Sequence, residues 1–229
     1  MTSNYKKVNN LLQKTYKKSD CCLKSKQQQP KNDLVHPLDK HINILTTDVY
    51  TNVNVPDCYI VELDLGCGKG AFTTDLAERY PDRLIYAVDV MLGRLRKLCK
   101  RNLRYGVENM QLLRAEAWYL VGAALPDKSI DRLHLLCPDP WPKEKHKGNR
   151  LVSSEFLGRL HNKLKKNGVF HFSTDDEPYY KQAAKTIAES NLFKKDDTQI
   201  ADILDIKTDF EEKWNDQGLS VNHCAWIKD

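Results

Sequence analysis

A doubly wound α/β fold, with a mostly parallel sheet and helices on both faces, is predicted by three features of this sequence. Short apolar runs alternate with segments of helical period from about residue 58 onward. A glycine-rich turn, Gly66-Cys67-Gly68-Lys69-Gly70, separates the first run from the first helical segment. Carboxylates stand near the ends of successive runs, which is where an open parallel sheet binds its ligands.

The elements follow in order. Tyr59 to Leu65 is a strand, stopped by Gly66, and Lys69 to Arg79 is a helix ended near Pro81. Leu84 to Asp89 is a second strand. Met91 to Tyr105 is a second helix, closed by Gly106, because glycine accepts the left-handed C-cap conformation. Met110 to Arg114 is a third strand, Ala117 to Leu125 a short helix, and Ile130 to Leu136 a fourth strand. Ser153 to Lys165 is a helix that Asn167-Gly168 ends. Val169 to Ser173 is a fifth strand and Pro178 to Ser190 a further helix. Beyond Asn191 the periodicity fades, and Ser220 to Lys228 is expected to pair at the sheet edge. Strands and helices alternating at this spacing form βαβ units with right-handed crossovers.

The chain has 229 residues, enough for one domain with an extension. Its charge divides unevenly. Residues 1–31 hold eight lysines against Asp20 alone, a net +7, so the other 198 residues carry −2 of the total +5. Two segments are therefore expected: a basic, flexible arm over 1–31 and a folded domain over 32–229. The arm reads equally as a solubilising tail or as a holder of polyanion phosphates. No apolar run approaches the roughly 18 residues of a membrane span, and no signal-peptide core is present, so no membrane partner is expected. The seven cysteines form no CxxC pair and the histidines show no metal-ligand spacing. A reduced, cytoplasmic protein without a metal site is expected, either a monomer or a homodimer.

The glycine turn fits G-x-G-x-x-[GA], with Gly66 and Gly68 letting a ligand approach the backbone. Asp89 ends the next strand, 23 residues after Gly66, where an acid accepts both hydroxyls of a ribose. Between a strand and a helix, this pattern favours a nucleoside-containing cofactor over a plain structural turn. Asp64, two residues before Gly66, suits an ammonium better than a pyrophosphate. Glu116 follows the third strand, where an adenine would lie, or else starts a helix. Acids after successive strands favour S-adenosylmethionine, which is cationic, over a nicotinamide dinucleotide.

Pro138-Asp139-Pro140 fixes two φ angles and removes two donors, so Asp139 is presented rigidly. Taken alone, the triplet is a capped turn with Trp141 in the core. The neighbours change that reading. Thr174-Asp175 ends the fifth strand and brings a second carboxylate close, and Lys143, Lys145, His146, Lys147 and Arg150 supply donors for phosphates.

With "DLGCGKG", "AVDV", "CPDPWPKEKHKGNRLV", "FSTDDEPYY" and "TDFEEK" in place, the chain resembles the bacterial tRNA (guanine-N7-)-methyltransferase family over about residues 60–213. The resemblance implies a Rossmann-like, seven-stranded, mostly parallel sheet. It implies methyl transfer from S-adenosylmethionine to N7 of guanine 46 in the tRNA variable loop. It makes Asp64, Gly66, Gly68, Asp89, Glu116 and Asp139 cofactor-binding, Asp139 also catalytic, and Lys143, Asp175, Thr208, Asp209, Phe210 and Glu211 substrate-binding. Three departures stand out. Asp64 replaces a glutamate, Asp209 stands where lysine is usual, and Glu144, Gly148 and Asn149 dilute the basic run.

Guanine N7 attacks through an in-plane lone pair, so no strong base is required. Asp139 and Asp175 are expected to orient the purine and stabilise its growing positive charge. The competing readings are a methyltransferase acting on another RNA or an exocyclic amine, a nicotinamide oxidoreductase, and a non-catalytic RNA-binding protein. Arg94, Lys97, Arg101 and Arg104 line one face of the second helix, which reads as a solvated face. Tyr179 and Tyr180 are expected to pack their helix.

Overall fold

In the computed structural model, which describes residues 36–45 and 52–229, eight strands form one sheet. They are β1 (Ile42–Ile44), β2 (Ile60–Leu65), β3 (Arg83–Asp89), β4 (Met110–Arg114), β5 (Ile130–Leu136), β6 (Leu164–Thr174), β7 (Phe193–Lys195) and β8 (Asn222–Lys228). Their spatial order is β1-β4-β3-β2-β5-β6-β8-β7. All neighbours run parallel except β8, which is antiparallel to both β6 and β7. The order reverses between β2 and β5, so a crevice opens at the carboxyl ends of the central strands.

The helices are α1 (Ala71–Arg79), α2 (Leu92–Tyr105), α3 (Ala117–Tyr119), α4 (Ser154–Lys163), α5 (Glu177–Ser190) and α6 (Asp209–Asn215). Side chains on α1 and α2, including Phe72, Leu76, Leu95 and Leu98, pack on one sheet face with Ile85 and Ala87. Phe156, Leu157 and Leu160 of α4 and Tyr179, Ala183 and Ile187 of α5 cover the other, against Val61, Leu63, Leu133 and Phe170. Fully burying each such Leu or Phe contributes about 1.5–3 kcal/mol. With both faces covered, Val61 through Leu65 are all buried, as a central parallel strand requires.

The fold class holds, with one strand more than the expected seven. β1 has three residues, too few for its alternation to register, and its pairing is with β4, about seventy residues away. The short β7 and helix α6 also lie in the stretch whose periodicity fades. The segment expected to end a helix at Asn167-Gly168 behaves otherwise. The helix stops at Lys163, and the chain enters β6 at once. Asn167, at φ 61°, sits in a bulge where the register against β5 jumps from Ile130–Leu164 to Arg132–Val169. A turn signal inside a strand thus marks a bulge. The expected helix after β4 is one α-turn passing into a π-turn, Leu120–Ala124. The segment 1–31 lies outside the described residues.

Candidate active site

The glycine loop runs from β2 into α1 with Gly66, Gly68 and Gly70 all at positive φ, 92°, 60° and 80°. A Cβ at Gly66 or Gly68 would meet nothing within 4 Å, so these two leave their backbone open to a ligand. Gly70 has a different constraint: a Cβ there would come within 2.4 Å of Leu98, so its absence lets α1 seat against α2. The loop is tied to β3, since Gly66 N–H and Cys67 N–H both donate to the Val88 carbonyl.

Two carboxylates flank this loop. Asp64 is 3% exposed and accepts one hydrogen bond, from Thr73 Oγ1 at 2.5 Å. Burial pushes its carboxyl up to about 7, against the Thr73 bond and assisted by the nearby charge of Asp89. Asp89 is equally buried. Its Oδ1 accepts from Met91 N–H at 2.7 Å and its Oδ2 from Gly68 N–H at 3.1 Å. Arg94 Nη1 approaches Oδ2 at 3.4 Å. Asp89 therefore shapes the loop while retaining lone pairs for a ligand hydroxyl. Glu116 is exposed and caps α3 by accepting from Tyr119 N–H at 2.9 Å, the helix-start role open to it from the sequence.

At the end of β5 the chain turns through Cys137 and Trp141, both at positive φ, 46° and 43°. Non-glycine residues in that region carry strain that surrounding contacts must hold, and such strain gathers at functional sites. The contacts are visible. Cys137 N–H donates to the Ser173 carbonyl on β6 at 2.9 Å. Arg150 Nε donates to the Pro140 carbonyl at 2.7 Å and its Nη1 to Gln182 at 2.6 Å, with Asp176 at 3.7 Å and the Tyr179 ring beneath. Arg150 is 5% exposed. It braces the corner from behind, and this corrects its expected place among the phosphate donors.

Asp139 projects from that corner and is exposed, as are Lys143 and Asp175. Lys147 is paired with Glu144 at 2.5 Å, so the glutamate that dilutes the basic run also occupies one of its cations. Trp141 is exposed, its ring tilted over His146, and does not fill the core. Burial pushes the Cys137 thiol up to about 11, and Asp175 and Glu211 add to that, which places both acids near the corner.

Helix α6 carries the remaining candidates. Thr208 caps it by accepting from Glu211 N–H at 3.0 Å. Asp209 Oδ2 accepts from Ala71 N–H at 3.4 Å, so this departure from the resemblance ties α6 to the start of α1. Phe210 is 52% exposed. Glu211 is buried, and both its protein partners act on Oε1: Lys207 Nζ at 2.6 Å and His223 Nε2 at 3.1 Å.

Residues 59–224 match the family model described as "Putative methyltransferase". A tRNA (guanine-N(7)-)-methyltransferase of Chlorobium phaeobacteroides is 32% identical over 78% of this chain and 86% of the relative. One of Neisseria meningitidis is 32% identical over 72% of the chain and 68% of the relative.

The chain belongs to the tRNA (guanine-N7-)-methyltransferase family.

One more member, from Thermotoga maritima, is 30% identical over 69% of this chain, and there the chain spans half the relative's length. Among solved structures, the 16S rRNA methyltransferase KamB superposes with a TM-score of 0.57 at 19% identity, covering 75% of this chain and 89% of that one. A SAM-dependent methyltransferase of Aquifex aeolicus gives 0.52 at 13%, covering 74% and 82%. These two share the fold.

The cofactor of the methyltransferase family is S-adenosylmethionine, and the residues present fit it. The buried Asp64 carboxyl has a single hydroxyl partner and suits an ammonium, and the open glycine loop beside Asp89 suits a ribose. Among the described residues no group of acids, histidines or cysteines is arranged to hold a metal ion, and no helix is long and apolar enough to cross a membrane.

In this family member the sequence reading passed over a line of polar groups, buried except at His223. Glu62, His134, His171 and His223 form a continuous hydrogen-bonded row that ends on Glu211. His134 and His171 stand in register on β5 and β6. The available signal was a histidine inside each of two apolar strands, Leu133-His134-Leu135 and Phe170-His171-Phe172. Buried histidines there need polar partners.

Proposed function

We propose that this chain methylates N7 of guanine in tRNA, at position 46 of the variable loop, using S-adenosylmethionine. What supports the reading is that both acid sets follow the carboxyl ends of adjacent parallel strands: Asp64 and Asp89 at the ends of β2 and β3, and the braced Asp139 corner and Asp175 after β5 and β6. The relatives named tRNA (guanine-N(7)-)-methyltransferase support the choice of RNA and atom.

S-adenosylmethionine, when bound, supplies an electrophilic methyl on a sulfonium. Asp64 would hold the ammonium of the amino-acid tail, Asp89 with the Gly66–Gly68 loop the ribose hydroxyls, and Glu116 the adenine. Asp139 would contact both cofactor and guanine. N7 needs no deprotonation, so Asp139 and Asp175 align the purine and stabilise the positive charge that grows on it. Their carboxylates gain strength as the bound RNA excludes water. Lys143 and Phe210 meet the RNA directly, by charge and by stacking. Thr208 and Asp209 hold α6, so that Glu211 Oε2 is left to accept a substrate hydrogen bond.

Unmodified tRNA and methyl-labelled cofactor test this directly, with the modified nucleoside located by mass spectrometry. We expect N7-methylguanosine at position 46; a methyl on an exocyclic amine would reject the reading. Asp139→Asn is expected to lower turnover about 100-fold with cofactor affinity intact. Near wild-type turnover would remove Asp139 from the chemistry.

A further inference from the structure

The row of histidines has a proton count that does not close with neutral rings. It contains four hydrogen bonds in series: Glu62 Oε2 to His134 Nε2 at 2.8 Å, His134 Nδ1 to His171 Nδ1 at 3.0 Å, His171 Nε2 to His223 Nδ1 at 3.0 Å, and His223 Nε2 to Glu211 Oε1 at 3.1 Å. Each bond needs one proton. An ionised carboxylate at either end can only accept, and a neutral imidazole brings one proton. Three neutral rings therefore supply three protons for four bonds. Starting from Glu62, His134 donates from Nε2, His171 from Nδ1 and His223 from Nδ1. The row then reaches Glu211 with two lone pairs face to face. Running it the other way moves the conflict to Glu62.

We propose that the row holds one extra proton, carried as an imidazolium on His223, and that this proton fixes the Glu211 carboxylate for the RNA substrate. His223 is the member able to carry it. Burial holds His134 and His171 below the usual histidine range, His171 by far the more. Burial would raise both carboxyls, but hydrogen bonds from His134 and Arg83 and the charge of Arg132 hold Glu62 at about 2, and bonds from His223 and Lys207 hold Glu211 below the usual range. Protonated His223 donates from both nitrogens and satisfies the whole row.

The charged groups around this proton are distributed over several elements. On the α6 side, Glu211 faces His223 and Lys207 shares its Oε1. Across β6, His171 accepts from it. At the far end, Glu62 on β2 meets Arg83 of β3 and Arg132 of β5, and Asp202 pairs with Arg132. Asp64 stands in register with His134, bonded to Thr73, and Phe72 of α1 packs its ring edgewise against both His134 and His171. His223 Nε2–H and Lys207 together hold Oε1, which fixes the carboxylate and leaves Oε2 for the substrate. Loss of the proton sets a lone pair against Oε1 and frees the carboxylate to swing. The three histidines are positioning residues for Glu211.

The role in RNA binding rests on the tRNA reading above; the proton count does not. Histidine ring ¹⁵N NMR on the full chain, without substrate, decides the count. At about pH 7 we expect His223 protonated on both nitrogens, His171 on Nδ1 and His134 on Nε2. A lone-pair nitrogen on His223 overturns the proposal. Glu211→Gln supplies a donor amide in place of the carboxylate, so His223 is expected to become neutral in E211Q; a persistent imidazolium there overturns the placement. In kinetics, KM for tRNA should rise about tenfold over the pH range in which NMR records loss of the His223 proton, with a smaller change in kcat, while E211Q shows a KM that is high and flat with pH. A wild-type KM that stays flat while NMR records the loss of the proton overturns the positioning role. Absence of methylation on any tRNA defeats the tRNA reading instead, and the NMR outcome still decides the row.

Discussion

Asp64 carries a cost in the folded chain that a bound ammonium would offset. Its carboxyl is buried against a single hydroxyl and titrates at about 7, against 3.8 for an ordinary aspartate. The folded value lies above the unfolded one, so this group's contribution to stability is complete below about pH 4 and is lost as pH rises through about 7. An ammonium beside it reverses the balance by favouring the charged form. Calorimetry of S-adenosylhomocysteine binding at about pH 6.5, in buffers of different ionisation enthalpy, should record proton release. The release should fade by about pH 8.5, where Asp64 is already ionised. Asp64→Asn should abolish the release and weaken binding about tenfold or more, while the thermal midpoint at pH 8 is kept or raised. Proton-neutral binding by the wild type would show that Asp64 does not meet the ammonium. The placement of Asp64 beside the glycine loop was legible because it depends on spacing within a few residues. The histidine row was not. Its members lie 37 and 52 residues apart along the chain and meet only through strand pairing.

At the scale of the element, the loop after β5 is the instructive case. Sequence alone indicates a stiff acidic corner followed by cations, and the first half of that is what the structure has. What it could not indicate is which cation turns inward. Arg150 does, because the Pro140 carbonyl, Gln182 and Asp176 offer acceptors and Tyr179 offers a ring face. A planar guanidinium can meet these together, and an ammonium cannot. Arg150→Met should cost about 1–3 kcal/mol in denaturant unfolding, since it removes the buried guanidinium that three half-buried acceptors share. Methyl transfer should fall further than the lost folded fraction explains, because the strained Cys137 and Trp141 backbone loses its brace. Arg150→Lys should restore only part of either. Unchanged stability in R150M would mean that the corner holds itself.

Across the whole molecule, charge is segregated. The +7 segment over residues 1–31 lies outside the described residues, and the rest of the chain carries −2. On the tRNA reading, a site carrying Asp64, Asp89, Asp139 and Asp175 has to bind a polyanion, and within the basic loop Lys147 is engaged with Glu144 and Arg150 with the corner. We therefore propose that the segment supplies phosphate contacts. Deleting residues 1–31 should weaken tRNA binding and flatten the slope of log affinity against log salt by about 3 or more. An unchanged slope would leave the segment no part in RNA binding.

Local pattern determined the alternation of strands and helices, the glycine loop, the acids around it and the proline-braced corner, because each depends on residues near one another in the chain. Tertiary structure decided the eighth strand, the bulge at Asn167-Gly168, the inward turn of Arg150 and the histidine row. The physical reason is common to all four. A three-residue strand, a register shift, a buried guanidinium and a buried imidazole are each stabilised by partners from distant segments. Only the packed sheet brings those partners within hydrogen-bond reach.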